Sequence, residues 1–386
     1  SQALDRYEDR EHSLVKHTIL ASYLERCLMI IGLRYSKIAY IDCFAGPWKS
    51  TADDLSDTSP GIAIRQMAAC QTALTTAHHK HVRVRSIFVE SDVTRAELLT
   101  THVQRAPNNI VRPEVWKTSF ESSIPAILHW LEPDEFAFVF VDPCGWKGFI
   151  EPAVLAPFLQ RSKTELLINF MWNFINLATG HVEQEANLTA IFGDEWQTPA
   201  AYNSQAKQRE LMRMYRQKLA QACDGHTPDR LRTAMLPVEY IDKKKVIFNL
   251  VYATHNATGL VVFWEQAEEA SIQQTRLKLQ HRLDRVAERG QPDLFNADAH
   301  VEPADIPSQD LRGAWLKRFP SPGHTCVVDA IFMADLIEET DGLMSDLQAA
   351  LRELVKDGTI TNLNATRSRP VNAVNYRKKE SLQRVK

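Results

Sequence analysis

Two aspartates stand at the ends of apolar runs. Ile38-Ala39-Tyr40-Ile41 leads into Asp42-Cys43-Phe44-Ala45-Gly46-Pro47, and Ala137-Phe138-Val139-Phe140-Val141 leads into Asp142-Pro143-Cys144-Gly145-Trp146. A near-continuous hydrophobic run is the pattern of a parallel strand buried on both faces. Ligands of open α/β sheets bind beyond the carboxyl ends of such strands. Both carboxylates are therefore expected at a wet rim, since burying them unpaired is costly. Ala45 and Gly46 let the backbone approach a ligand closely. A third acid, Glu90, ends the run Arg85 to Val89, where an acidic side chain typically binds ribose hydroxyls. Its distance from Asp42 exceeds the roughly 20 residues of a compact dinucleotide fingerprint, and the acidic 49–58 loop takes up part of the excess.

The elements that must position these acids follow from periodicity. Residues 12–32 carry apolar side chains at helical spacing; Lys16 and His17 on this helix could reach a ligand, but both are assigned to its solvated face. Ser59-Pro60-Gly61 opens a second helix, with Ser59 as cap and Pro60 at the first helical position. Val115-Trp116 is a short third strand before Thr118-Ser119, and Glu165 to Phe170 is a fifth. Residues of about 180–235 are polar and form a helical insertion. Within it Arg209, Arg213 and Arg216 share one helical face at i, i+4, i+7, a spacing that suits either a phosphate backbone or plain solvation. Val246 to Ala253 and Leu260 to Trp264 are too close for a crossover helix and so are expected as an antiparallel closing pair.

Beyond residue 289, a polar, proline-bearing linker (290–307) precedes a small domain (308–386) of three helices and a ribbon. Thr359 to Leu363 is expected to pair with Val371 to Tyr376, as in a winged helix. Arg367, Arg369, Arg377, Lys378 and Lys379 make its wing and tail basic, which suits nucleic-acid phosphates. The expected fold is thus α/β: a Rossmann-like doubly wound sheet of about seven strands closing with an antiparallel hairpin, a helical insertion and a C-terminal winged helix.

Composition restrains the function. The 386 residues are 44% hydrophobic and 24% charged, with net charge −3, so any nucleic-acid binding must come from local patches. The six cysteines are scattered without a CxxC pair, which indicates reduced thiols, a cytoplasmic setting and no metal site. No stretch approaches the roughly 20 apolar residues of a membrane span, and the N-terminus lacks a signal-peptide pattern.

Tyr40 to Pro47, Ser59-Pro60-Gly61-Ile62-Ala63, Phe140 to Trp146 and Val251 to Thr254 together resemble the three-Cys-motif partner (TcmP-like) family, which is similar to class I S-adenosylmethionine-dependent methyltransferases. The resemblance spans roughly residues 10–265. It implies that Asp42, Phe44, Ala45, Gly46 and Pro47 line the methionine end of S-adenosyl-L-methionine. Glu90 would take the ribose, with Ser91, Thr118 and Ser119 near the adenine. Asp142 and Pro143 would face the acceptor, with Cys144 and Trp146 as pocket walls. A flipped base would stack on Trp146 or Trp172. The motif reads Asp-Pro-Cys-Gly, unlike the Asp-Pro-Pro-aromatic of amino-directed nucleic-acid methyltransferases. The resemblance also implies a three-Cys-motif protein as partner. The alternatives are an inactive methyltransferase-like module that binds nucleic acid or protein in a phage-defence or mobile-element setting, and a nuclease that places a metal between Asp42, Glu90 and Asp142.

Overall fold

The computed structural model describes residues 11–46, 50, 55–143, 145–197, 202–243, 245–288, 310–365 and 372–386. The chain divides into two compact units, Ser1–His255 and Asn256–Lys386. The division falls ahead of the linker expected at 290–307, which lies outside the described residues.

The first unit is a mixed α/β layer structure. Its strands are β1 (Lys37–Asp42), β2 (Arg83–Val89), β3 (Glu114–Trp116), β4 (Phe136–Val141), β5 (Thr164–Phe170), β6 (Arg232–Glu239) and β7 (Val246–Thr254), in the order β3-β2-β1-β4-β5-β7-β6. The first five run parallel, and β7 runs antiparallel to both β5 and β6. Every residue of β4 and of β5 is buried; β4 is apolar throughout, whereas β5 buries Thr164, Glu165 and Asn169 among its apolar residues. Helices α1 (Glu11–Arg34) and α2 (Ser59–His78) pack on one another and on β1. On the opposite face, α4 (Phe120–Trp130), α5 (Pro152–Leu159), α6 (Trp172–Ala178), α7 (Glu185–Phe192) and α8 (Ser204–Gln221) cover a core of Ile41, Val89, Val139, Ile168 and Phe170. Helix α3 (Val93–Val103) packs beside β3.

One expectation is corrected here. The strand that closes the sheet against β7 is β6, drawn from the end of the assumed insertion. Leu260 to Trp264 is instead the buried start of helix α9 (Ala257–Glu288). The apolar run imitates a strand because this turn of helix is buried all round. The contrary signal is Asn256, whose side chain accepts a hydrogen bond from the Gly259 amide at 2.9 Å and so caps the helix.

The second unit contains α9, α10 (Leu311–Leu316), β8 (Thr325–Val328), α11 (Ala330–Thr340), α12 (Met344–Lys356), β9 (Ile360–Asn362) and β10 (Glu380–Arg384). Its sheet has the order β8-β10-β9, antiparallel throughout. The partner of β9 is therefore Glu380–Arg384 and not the segment expected at Val371 to Tyr376; Val371 lies outside the described residues, and Tyr376 opens the 3-10 turn Tyr376–Lys378. Trp264 donates from its indole to the Gly342 carbonyl at 2.8 Å, fixing α9 to the turn between α11 and α12.

Gly61 is set by contact. A Cβ there would overlap the Leu55 carbonyl, on a turn where Leu55 itself has φ +50°. Because the obstruction is backbone, Gly61→Ala is expected to cost about 1–3 kcal/mol in urea unfolding. An unchanged midpoint would show that the 55–61 turn yields freely.

Candidate functional site

Strand register gathers the acids at one edge. Asp42 pairs with Phe88 on β2 and with Phe140 on β4, so Glu90 and Asp142 each lie two residues further out, on either side of the turn that follows β1. That turn is pinned: the Cys43 amide donates to Phe140 O at 2.9 Å and the Ala45 amide to Val89 O at 2.8 Å. The Phe44 amide donates to Asp42 Oδ1 at 3.2 Å. Helix α2 begins beside it, capped by Thr58 Oγ1, which accepts from the Gly61 amide at 3.3 Å. The cap is Thr58 and not Ser59, and Ser59 is left to act on Asp42.

The two aspartates are held differently. Asp142 is ion-paired to Lys16 of α1 and accepts a hydrogen bond from Asn169 Nδ2 at 2.5 Å. Lys16 is only 12% exposed, so its assignment to a solvated face is corrected: it is the counter-ion of the site. Asp42 is fully buried, and among the described residues its Oδ2 has no hydrogen-bond partner. Burial raises its pKa to about 7. The Ser59 hydroxyl and the Phe44 amide pull it down, the Asp142 charge pushes it up and Lys16 lowers it. The expectation that both carboxylates stay at a wet rim thus fails for Asp42.

Glu90 is buried, and its Oε1 accepts from the Asp92 amide at 2.7 Å. Ser91 is exposed beside it. Ser119 caps α4, accepting from the Ser122 amide at 3.3 Å, and Thr118 is half-buried just ahead of it. The Phe44 ring packs on Phe120 and Phe149, with centroids 5.4 and 5.0 Å apart; only its backbone faces the turn. Trp146 and Trp172 are buried in the core of the α4/α5 face, so neither presents a free ring for stacking. Pro143 is buried. Pro47 and Cys144 lie outside the described residues.

The basic residues are engaged to different degrees within each unit. Arg213 is paired with Glu210 at 2.5 Å, and Arg216 donates to Thr233 Oγ1 and O at 2.9 and 2.8 Å, which ties α8 to β6. Arg209 is exposed. Arg377 is held by Glu265 at 2.7 Å, whereas Lys378 and Lys379 are exposed. Arg367 and Arg369 lie outside the described residues.

No family model and no curated protein matches the chain. It is similar to the crystal structure of protein LPL1258 from Legionella pneumophila str. Philadelphia 1, assigned to the family model DUF519. That likeness has 12% identity and a TM-score of 0.35 over 63% of this chain and 85% of that one. It is too distant to bear on the site. Among the described residues no helix is long and apolar enough to cross a membrane.

The raised pKa of Asp42 has a stability consequence. With a folded value near 7 and an ordinary value near 3.8, its contribution is fully present below about pH 4 and lost as pH rises through 7. Asp42→Asn keeps the acceptor for Phe44 but cannot ionise. Its stability relative to wild type is expected to rise between pH 4 and 8, by roughly 3–5 kcal/mol at the upper end. Parallel unfolding curves for the two proteins across that range would contradict the assignment.

Proposed function

We propose that the protein is an S-adenosylmethionine-dependent methyltransferase acting on nucleic acid. The observation that carries this reading is the gathering of Asp42, the 43–46 turn, Glu90 and Asp142 at one edge of a sheet ordered β3-β2-β1-β4-β5-β7-β6. Dinucleotide-binding sheets of order 3-2-1-4-5-6 place their ligands at the same edge. An antiparallel β7 inserted before β6 is the closure of class I methyltransferases and not of dehydrogenases.

The residues fit the cofactor. The orphaned Asp42 Oδ2 is a buried acceptor suited to an ammonium group. Gly46 admits close approach of the backbone. Glu90 has one oxygen committed to its own turn, and the other suits ribose hydroxyls. S-adenosylmethionine supplies an electrophilic methyl group on a sulfonium. The contribution of this chain is positioning and exclusion of water, which can lower the barrier of an in-line displacement substantially. Asp142, fixed from two sides by Lys16 and Asn169, holds an acceptor N–H or O–H in place rather than acting as a mobile base.

The acceptor class is supported by the C-terminal unit. Its helix-strand-helix-helix-strand-strand order is that of a winged helix, with exposed Lys378 and Lys379 in the β9–β10 connection. The exposed face of α12 mixes Arg352 and Lys356 with Asp346 and Glu353, so phosphate contacts fall to the connection and not to this helix.

Titration calorimetry with S-adenosylmethionine tests the first half. Binding is expected, weakened at least tenfold by Glu90→Ala. It should fall about tenfold per pH unit below 7, because the ammonium requires ionised Asp42. A folded protein that shows no binding would sink the enzyme reading in favour of an inactive binding module. For the second half, Lys378→Gln with Lys379→Gln should reduce the slope of log affinity for nucleic acid against log salt by about 2. An unchanged slope removes these lysines from the contact.

A further inference from the structure

A cavity lies beyond the end of α6. It has a volume of about 340 Å³ and is lined by Thr179, His181, Glu185, Trp196, Gln197 and Lys207, within the range of small-molecule sites. Its place follows from register. Helix α6 starts at Trp172, directly after β5, and the cavity opens where that helix ends. On the other side Lys207 precedes Gln208, whose Nε2 donates to Asn249 Oδ1 at 3.0 Å. Asn249 pairs with Phe170, the last residue of β5, and Asn169 beside it holds Asp142.

The lining carries a charge that the fold does not neutralise. The ammonium of half-buried Lys207 donates to Thr179 Oγ1 at 2.5 Å, and among the described residues no carboxylate pairs with it. Burial lowers its pKa, as it does for a cation without a counter-charge. His181 is turned to Glu183, at 3.3 Å. The half-buried Trp196 ring forms another wall. An unneutralised ammonium and an indole lining one cavity match an anion attached to a flat ring. Glu185 also lines the cavity and disfavours an anion at its own carboxylate, while Glu185 and Gln197 can meet the edge of a base.

We propose that this cavity is a nucleotide subsite, in which Lys207 takes the phosphate and Trp196 stacks on the base. Binding there is independent of the cofactor. Only its use as the acceptor subsite rests on the methyltransferase reading.

The test is calorimetry on the full chain with nucleoside monophosphates and, separately, with a short single-stranded oligonucleotide. Lys207→Gln and Trp196→Ala are each expected to weaken binding roughly tenfold or more. Trp196→Phe should retain most of it. Affinity for S-adenosylmethionine should not move, and neither should the unfolding midpoint of Lys207→Gln, whereas Trp196→Ala, which loses packing against the core, is expected to unfold earlier. Binding of the monophosphate as tightly as the oligonucleotide identifies a free nucleotide as the ligand; sensitivity to both substitutions with the oligonucleotide alone identifies a nucleotide within a strand. Absence of binding to both probes, equal binding by the variants, or tighter binding of a phosphotyrosine peptide would overturn the proposal. Loss of S-adenosylmethionine binding with nucleotide binding intact would strike the methyltransferase reading and leave this subsite standing.

Discussion

The candidate site depends on one ion pair, Lys16 to Asp142. Register sets two carboxylates on the same face of neighbouring strands, and one of them, Asp42, is fully buried. Like charges at such an edge disfavour joint ionisation. Lys16 neutralises the outer carboxylate, and Asn169 fixes its second oxygen. A pair as nearly buried as this adds little net stability over a well-packed apolar pair, yet removing one partner is destabilising. Its consequence is geometric: the end of β4, the end of β5 and the first turns of α1 are held in one arrangement. Asp42, with no cation of its own, is left with a pKa near 7.

The same helix reaches deeper into the sheet. Tyr23 and Cys27 follow Lys16 at i+7 and i+11, on the same stripe of α1. The Tyr23 hydroxyl donates to Glu165 Oε2 at 2.7 Å and lies 2.5 Å from the Tyr252 hydroxyl, while Thr254 donates to Glu165 Oε1 at 3.0 Å. Burial raises the pKa of Glu165 against these hydrogen bonds. One face of α1 therefore meets two acids, about 10–16 Å apart along its axis. The orientation of the site and the polar centre of the sheet are set by a single element.

The positions of Asp42, Glu90 and Asp142 were legible because an acid ending an apolar run is a local signal. Lys16 was not, since its partner is 126 positions away and nothing around it distinguishes it from a solvated lysine. The start of α9 was misread because β-branched and aromatic residues buried all round carry no helical periodicity. β10 was missed for the opposite reason: in Glu-Ser-Leu-Gln-Arg only Leu382 is a buried apolar residue, so the strand is specified by pairing with β8 and β9 rather than by its own pattern. Arg216 and Arg377 looked like a phosphate surface because their partners, Thr233 and Glu265, come from other elements.

Several residues that sequence marked for chemistry found partners within the fold. Ser119 caps a helix, Phe44 and Trp146 pack in the core, and Arg216 ties α8 to the sheet. Their binding capacity is spent on structure. Among the described residues, the buried polar atoms that remain unsatisfied include Asp42 Oδ2 and Asn169 Oδ1 at the carboxyl edge, and Tyr40 Oη and its cross-strand neighbour Ser86 Oγ deeper on the same face. Each buried polar atom left without a partner costs about 1–3 kcal/mol, a penalty that a suitable ligand can relieve at the edge but not in the interior. Asp42 and Asn169 at the edge, and Lys207 in the cavity beyond α6, are thus where folding has left interaction energy to be realised on binding.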